Sequence, residues 1–463
     1  MASVHLEFLA ERYPNVRAAL AALADLNATL ALPKPTVHVV SDVHGEDEKL
    51  RHVINNASGS LRPLVDKLFA DRLPAAEITE LLHIFYYPLE TWQSLVAKNA
   101  DRAALLARIW PRAMEVIREL ARRYTLAHLE QIIPDPLDAM FLELQFGEEL
   151  ARTPAFLAAL VDPFVRHGRD LELIRLIARV VRNLAVGELV VAGDLGDRGP
   201  RIDKVIDLLV HQPNASITWG NHDASWMAAC LGHAAAITTV LRVSLRYRRL
   251  AQLEEGYGIM MAPLDKLARE VYGDDPCERF QCKGQGLRDP QAMARMQKAA
   301  AILQFKVEGQ LFRKRTEWGM ENRALLHRID PKAGTVTIDG KTYPLLDTRL
   351  PTIDWADPYK LSDGEQQCLA RLTKSFLASN RLWQQMQFVV GHGQMALRRD
   401  LCAIFHGCLP VDDAGAYLTF PIDGEPRAGI ALMDAFQRVV HRAFRDRAEA
   451  DVDLVYYLWT GPR

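Results

Sequence analysis

Three short apolar runs in this chain each stop at an acid or an amide with glycine close by. "TVHVVSD" ends at Asp42, "ELVVAGD" at Asp194 and "ASITWGN" at Asn221. Such runs, bounded by turn residues, read as buried strands. Polar side chains at the ends of core strands gather in one crevice, the usual ligand site of α/β sheets. The segments between the runs read differently. Over 61–183 the apolar spacing is helical; in "LLARIWPRAMEVIRELARRY", Leu106, Ile109, Ala113, Ile117, Leu120 and Tyr124 recur at helix intervals. Helix is also expected over 5–31, from the third strand to about 306, over 363–385, and at the start of the final stretch from 429. "GTVTIDGKTYPLL" alternates around Asp339-Gly340 and predicts a hairpin. The pattern is an α/β core interrupted by long helical insertions.

At 463 residues the chain suits one large domain with insertions, or two to three ordinary ones. Hydrophobic residues make up 49% and charged residues 25%, with a net charge of −2, so neither nucleic acid nor a membrane is the expected partner. No run of about 18 apolar residues predicts a membrane span. The N-terminus, a mixed-charge helical stretch, is read as neither a signal nor a transit peptide. The six cysteines follow no framework spacing and read as reduced thiols of a cytoplasmic protein.

The strand ends carry the chemistry. Asp42-x-His44 in "SDVHGED" places two ligands on one side of an extended segment. Asp194 in "GDLGDRGP" can bridge two ions through its two oxygens, and Asn221 in "GNHD" offers a neutral oxygen. Carboxylate, imidazole and amide donors together suit divalent metals. His222 then stands beside the metals as a proton donor, with Asp223 to fix its tautomer. Arg198 presents a planar fork to a phosphate. Each motif alone is a common turn; all three in this order, each after an apolar run, are not.

D-x-H, then G-D-x-x-D-R-G, then G-N-H-D resembles the signature of the calcineurin-like metallophosphoesterases. The resemblance implies a β-sandwich core flanked by helices, and two metals that activate a bridging hydroxide for attack on phosphorus. "IFHGCLP" is similar to the strand end whose histidine binds the second metal, which implies a ligand at His406. His392, in "GHGQM", resembles a later Gly-His motif of the superfamily but precedes His406 in the chain. It is read as a non-ligand that ends a core strand or faces solvent.

The segments between motifs narrow the resemblance. "LAERYPN", "SDVHGEDEKLRHVINNASGSLR", "WGNHDASWMAA" and "GKTYPLLDTRLPTIDWADPYKLS" look like class III fructose-1,6-bisphosphatase. That family implies hydrolysis of the 1-phosphate of fructose 1,6-bisphosphate in gluconeogenesis, with two divalent ions, manganese foremost. By motif it makes Asp42, His44, Asp194, Asn221 and His406 metal ligands, His222 with Asp223 the acid, Arg198 the phosphate clamp, and Asp197 a support behind the ligands. Gly196 departs from the family's aromatic residue, a change expected to do little harm. No residue after His406 fits the final Gly-His motif; His441 lies on a helical, surface-facing segment. The expectation is a C-terminally truncated member lacking its closing strands.

The expected divisions are 1–60 (first helix and strand), 61–185 (helical insertion), 186–235 (core), 236–385 (cap) and 386–463 (core strands and last helix). The competing readings are a phosphoprotein or dinucleotide phosphatase of the same superfamily, and a poorly active copy that only binds. A homo-oligomer is left open. Three lesser motifs are set aside. Cys282 to Arg288 has the C-x5-R spacing but no strand before it. Cys277 and Cys282 lack a second zinc-binding pair. "GTVTIDGKT" has one residue too many for a phosphate loop. The basic 242–252 segment reads as a solvated helix face that could attract a second phosphate.

Overall fold

The computed structural model describes residues 10, 13–99, 101–133, 137–145, 153–284 and 289–461. The chain forms two compact units, Met1–His38 with Arg51–Leu189, and Val39–Leu50 with Val190–Arg463. The class is mixed, with many helices and small sheets.

The first unit is helical, as the periodicity of 61–183 predicts. Helix Arg102–Ala121 starts at Asp101, whose carboxylate accepts from Ala104 N, and buries Leu106, Ile109, Ala113, Ile117 and Leu120. Each such leucine or isoleucine side chain taken out of water contributes roughly 1.5–3 kcal/mol. Helix Asp170–Ala185 supplies a facing stripe that includes Leu173, Ile174, Ile177 and Val181. Asp170, itself buried, takes hydrogen bonds from Trp92 Nε1 (2.6 Å) and Arg102 Nη1 (3.2 Å).

A four-stranded sheet carries the strand ends that matter. Its order is Val37–Val40, Glu188–Ala192, Ala215–Thr218 and Gly393–Gln394, the last two parallel, with Ile217 opposite Gly393. The other sheets have two or three strands. The hairpin expected around Asp339-Gly340 forms, with Ile338 opposite Lys341 and both turn residues at positive φ (48° and 75°). Helix Pro290–Lys314 runs through the second unit; Lys298 and Lys306 on it are completely buried.

Two assignments are corrected. "FVVGH" is not a strand but the last turn of helix Asn380–His392, which buries Leu382, Met386, Val389 and Val390 at helical spacing. A run of three apolar residues fits either period, and the residues before it decide. The final stretch is helical throughout, as Gly429–Asp446 and Glu449–Thr460. Among the described residues no helix is long and apolar enough to cross a membrane. The six cysteines are free thiols.

Candidate active site

The site grows from two interlocked loops. After the first strand, Asp42 N donates to Gly193 O (3.2 Å), His44 N to Asp194 O (2.9 Å) and Gly45 N to Leu195 O (2.7 Å). In this arrangement Asp42, His44 and Asp194 all lie in the left-handed region, with φ of 55°, 51° and 53°. That conformation costs a residue with a side chain on the order of 1–3 kcal/mol and persists where surrounding bonds enforce it. The expectation of an extended Asp42-x-His44 is thereby corrected. The strand ends at Val40, and the turn, not the pleat, brings both side chains together. Asn221 likewise opens helix Asn221–Cys230 rather than ending a strand.

Glycine gives the donors room to converge. A Cβ on Gly193 would sit 2.4 Å from His406 Cγ, and one on Gly220 would sit 2.2 Å from Asp194 Oδ1. Gly196 has its own reason: a side chain there would meet Ile202 at 2.4 Å, so Ile202 occupies the space that a larger residue at 196 would need.

Asp194 is the hub. Its Oδ2 lies 3.4 Å from His406 Nε2 and 3.6 Å from His44 Nε2, and His44 Nε2 is 3.4 Å from Asp42 Oδ1. Asp42, Asp194 and His406 each offer a ligand atom within 4.8 Å of one another. His406 Nδ1 is bonded to Ala192 O (2.9 Å), which makes Nδ1 the donor and turns Nε2 toward Asp194. Asn221 lines the same cavity as His406. Two atoms each about 2.1 Å from a metal stand about 3 Å apart at a right angle, so these near-contacts fit ligands around shared ions. The donor types fit too, hard oxygens with imidazole nitrogen. Without a metal, the hydrogen bond that His406 donates to the Asp194 carboxylate pushes His406 up to about 9. Burial pushes Asp194 up, yet the hydrogen bond from His406 prevails and the carboxyl ends below its ordinary range.

The partner of His222 is Asp197, not Asp223. His222 Nε2 lies 3.2 Å from Asp197 Oδ1. Asp223 instead accepts from the backbone N–H groups of Asp194 (2.9 Å), Leu195 (2.8 Å) and Gly220 (2.8 Å), tying the Asp194 loop to the start of the helix. Its neighbour in sequence is not its neighbour in space, because the first helical turn swings Asp223 back over its own N-terminus. Burial, with Asp194 close by, pushes Asp223 up to about 7 against the pull of those N–H donors. Burial also lowers His222.

Arg198 donates from Nε to Asp197 Oδ2 (2.8 Å), and its side chain is well exposed. Arg249 Nε donates to Arg198 O (2.8 Å), so the basic 242–252 segment reaches the site. His392 is exposed at its helix end, stacked on Phe388 at 4.4 Å. His441 is exposed, edge-on to Trp219 at 5.8 Å. Arg288 lies outside the described residues. Sequence reasoning missed Trp459, whose ring stands 4.8 Å from that of His222, edge to face at 67°. No local pattern marks it. The Asp197 pairing did have a signal, because Asp194 and Asp197 share one loop.

The model of the family described as Firmicute fructose-1,6-bisphosphatase matches residues 4–463. Among curated proteins, the class 3 fructose-1,6-bisphosphatase of Clostridioides difficile is 36% identical over 468 residues, 99% of this chain and 71% of its own length. Those of Clostridium novyi and Listeria monocytogenes are each 34% identical over 99% of this chain, and 70% and 72% of their own lengths. No solved structure matches. With its family model spanning residues 4–463 and such relatives aligned along 99% of its length, the chain belongs to the Firmicute fructose-1,6-bisphosphatase family.

Proposed function

We propose that this protein hydrolyses the 1-phosphate of fructose 1,6-bisphosphate, giving fructose 6-phosphate and phosphate, as a cytoplasmic gluconeogenic enzyme loaded with two manganese ions. The observation that carries the reading is the convergence of Asp42, His44, Asp194 and His406, with His222 held by Asp197 next to them. Asp42, His44 and Asp194 would hold one ion, and Asp194, Asn221 and His406 the other. Such ions supply a water of lowered pKa and neutralise charge developing on the phosphoryl oxygens.

The chain's own groups do the rest. Water oxygen bonds to phosphorus as the bond from phosphorus to the sugar oxygen breaks, and that oxygen takes a proton from His222. With His222 Nε2–H directed at Asp197, Nδ1 is the nitrogen open to exchange that proton. Arg198, oriented by Asp197, would grip the phosphate undergoing transfer. Arg249 beside it is suited to the phosphate that stays on the sugar.

The test is an assay of the purified protein with Mn²⁺ against fructose 1,6-bisphosphate, a phosphopeptide and an aryl phosphate, alongside metal analysis. Preference for the sugar bisphosphate and two ions per chain are expected. Turnover of the phosphopeptide without the sugar bisphosphate, or no bound metal and no turnover, overturns the proposal.

A further inference from the structure

The helix Glu449–Thr460 is fastened by buried polar contacts from several directions. Asp453, 3% exposed, accepts from Arg315 Nε (2.8 Å) and pairs with His233 Nε2 (3.2 Å). Tyr456 donates to Glu308 Oε1 (2.6 Å), with Thr239 Oγ1 at 3.1 Å. Arg323 donates to the carbonyls of Thr460 and Gly461, closing the helix end. Tyr457 stacks on Phe420 at 4.3 Å. Satisfied buried groups of this kind fix one position for a helix, where apolar packing alone tolerates sliding. What this fixed position delivers is Trp459, edge to face on His222. Trp459 also lines the cavity of about 620 Å³ that Asn221 and His406 border.

We propose that Trp459 is a positioning residue for proton delivery: its indole forms the wall that keeps the His222 imidazole turned toward Asp197. Aromatic pairs prefer this T-shaped geometry over face-to-face stacking, so the indole restricts ring rotation at His222. Asp197 holds one ring nitrogen, and Trp459 blocks the ring from turning off that contact. The rate arm of the test rests on the proposed hydrolysis; the structural arm does not.

The experiment compares the unsubstituted protein with Trp459→Ala and Trp459→Phe. An alkoxide leaving group needs the proton from His222, whereas a p-nitrophenolate leaves without one. Trp459→Ala is expected to lose about 10²-fold in kcat on fructose 1,6-bisphosphate, the cost of a misplaced group, and to keep p-nitrophenyl phosphate turnover within about threefold. Trp459→Phe, which keeps an aromatic edge, should recover most of the sugar-phosphate rate. Equal losses on both esters, or a Phe variant as slow as Ala, overturn the inference. In crystals of metal-free Trp459→Ala, His222 should leave Asp197 or split between rotamers; a single unmoved rotamer overturns the inference as well. An unsubstituted enzyme inactive on both esters counts against the proposed hydrolysis, while the crystals still decide the role of Trp459.

Discussion

Two places in the second unit bury charge, and they do it in opposite ways. Around helix Pro290–Lys314 the charges are matched and tight. Lys298 Nζ, fully buried, sits 2.6 Å from Asp275 and 2.7 Å from Asp347, and Lys306 Nζ sits 2.7 Å from Glu365 and 2.6 Å from Thr352 O. Around Asp194 the partners are imidazoles at 3.4 to 3.6 Å, longer contacts than those of the lysines, and their Nε2 atoms are also potential metal ligands. An ammonium between carboxylates leaves nothing for a cation to bind, whereas loose imidazoles around a carboxylate do. The first arrangement fixes structure and the second keeps coordination sites open. The contrast also explains "TYPLLDTRLPTID", which reads as a family mark although it holds no metal motif. Asp347 and Thr352 in that run anchor it to the two buried lysines.

The largest expected effect breaks the open side of this comparison. Asp194→Asn replaces a carboxylate that can serve two cations with an amide that offers one neutral oxygen. Turnover should fall by about 10³-fold or more, equivalent to ~4 kcal/mol of lost charge stabilisation, with metal affinity reduced in calorimetry. Near-normal turnover would place the metals elsewhere.

His222→Gln comes next and separates acid from metal. The glutamine takes away the proton donor but none of the ligand atoms. A rate loss of roughly 10²–10⁴-fold is expected, with metal content intact by elemental analysis. Loss of metal together with rate would make His222 a ligand and undo the assignment. Asp223 offers a check of the same logic. Its bonds are to backbone, so its substitution should act on folding of the Asp194 loop rather than on the leaving group alone.

How much of this was legible depends on whether a contact is local in sequence. The D-x-H, GDxxDRG and GNHD stretches carry their own glycines and follow their own strands, so the gathering of Asp42, His44, Asp194 and Asn221 past the ends of one sheet could be read directly. Asp197 facing His222 crosses from one strand end to another, and the adjacent Asp223 was the plausible but wrong choice. Trp459 reaches His222 only because distant side chains hold its helix, an arrangement that no single segment encodes. The buried lysines hid behind the ordinary rule that charge faces water. Lys298 and Lys306, eight positions apart on one helix, share a face with apolar residues, and that pattern was available.

Lys298→Met tests the matched side. Removing the ammonium strands two carboxylates, and breaking a buried pair this way costs about 3–5 kcal/mol, read as a lower midpoint in chemical denaturation with metal binding unchanged. The pH dependence has a definite sign. Burial pushes Asp275 up, but the hydrogen bond from Lys298 outweighs it and leaves the carboxyl below its ordinary range. A depressed folded value means that stabilisation is complete above the unfolded pKa of about 3.9 and fades as pH falls through the folded one. The gap between the two proteins should therefore narrow in acid. A gap that widens would mean that Lys298 does not hold Asp275 ionised.

The smallest expected effect is the most specific. His392 and His406 sit in one short stretch, each beside glycine, yet only His406 turns its Nε2 to Asp194. His392 spends Nδ1 on Phe388 O (3.1 Å), one helical turn back, and stacks on the Phe388 ring in solvent. His392→Ala should leave turnover and metal content unchanged and shift stability by no more than about 0.5 kcal/mol, the usual range for a surface position. His406→Ala, measured beside it, should lose metal and turnover. If the two variants behaved alike, the orientation imposed on His406 by Ala192 O would not be what makes a histidine a ligand here.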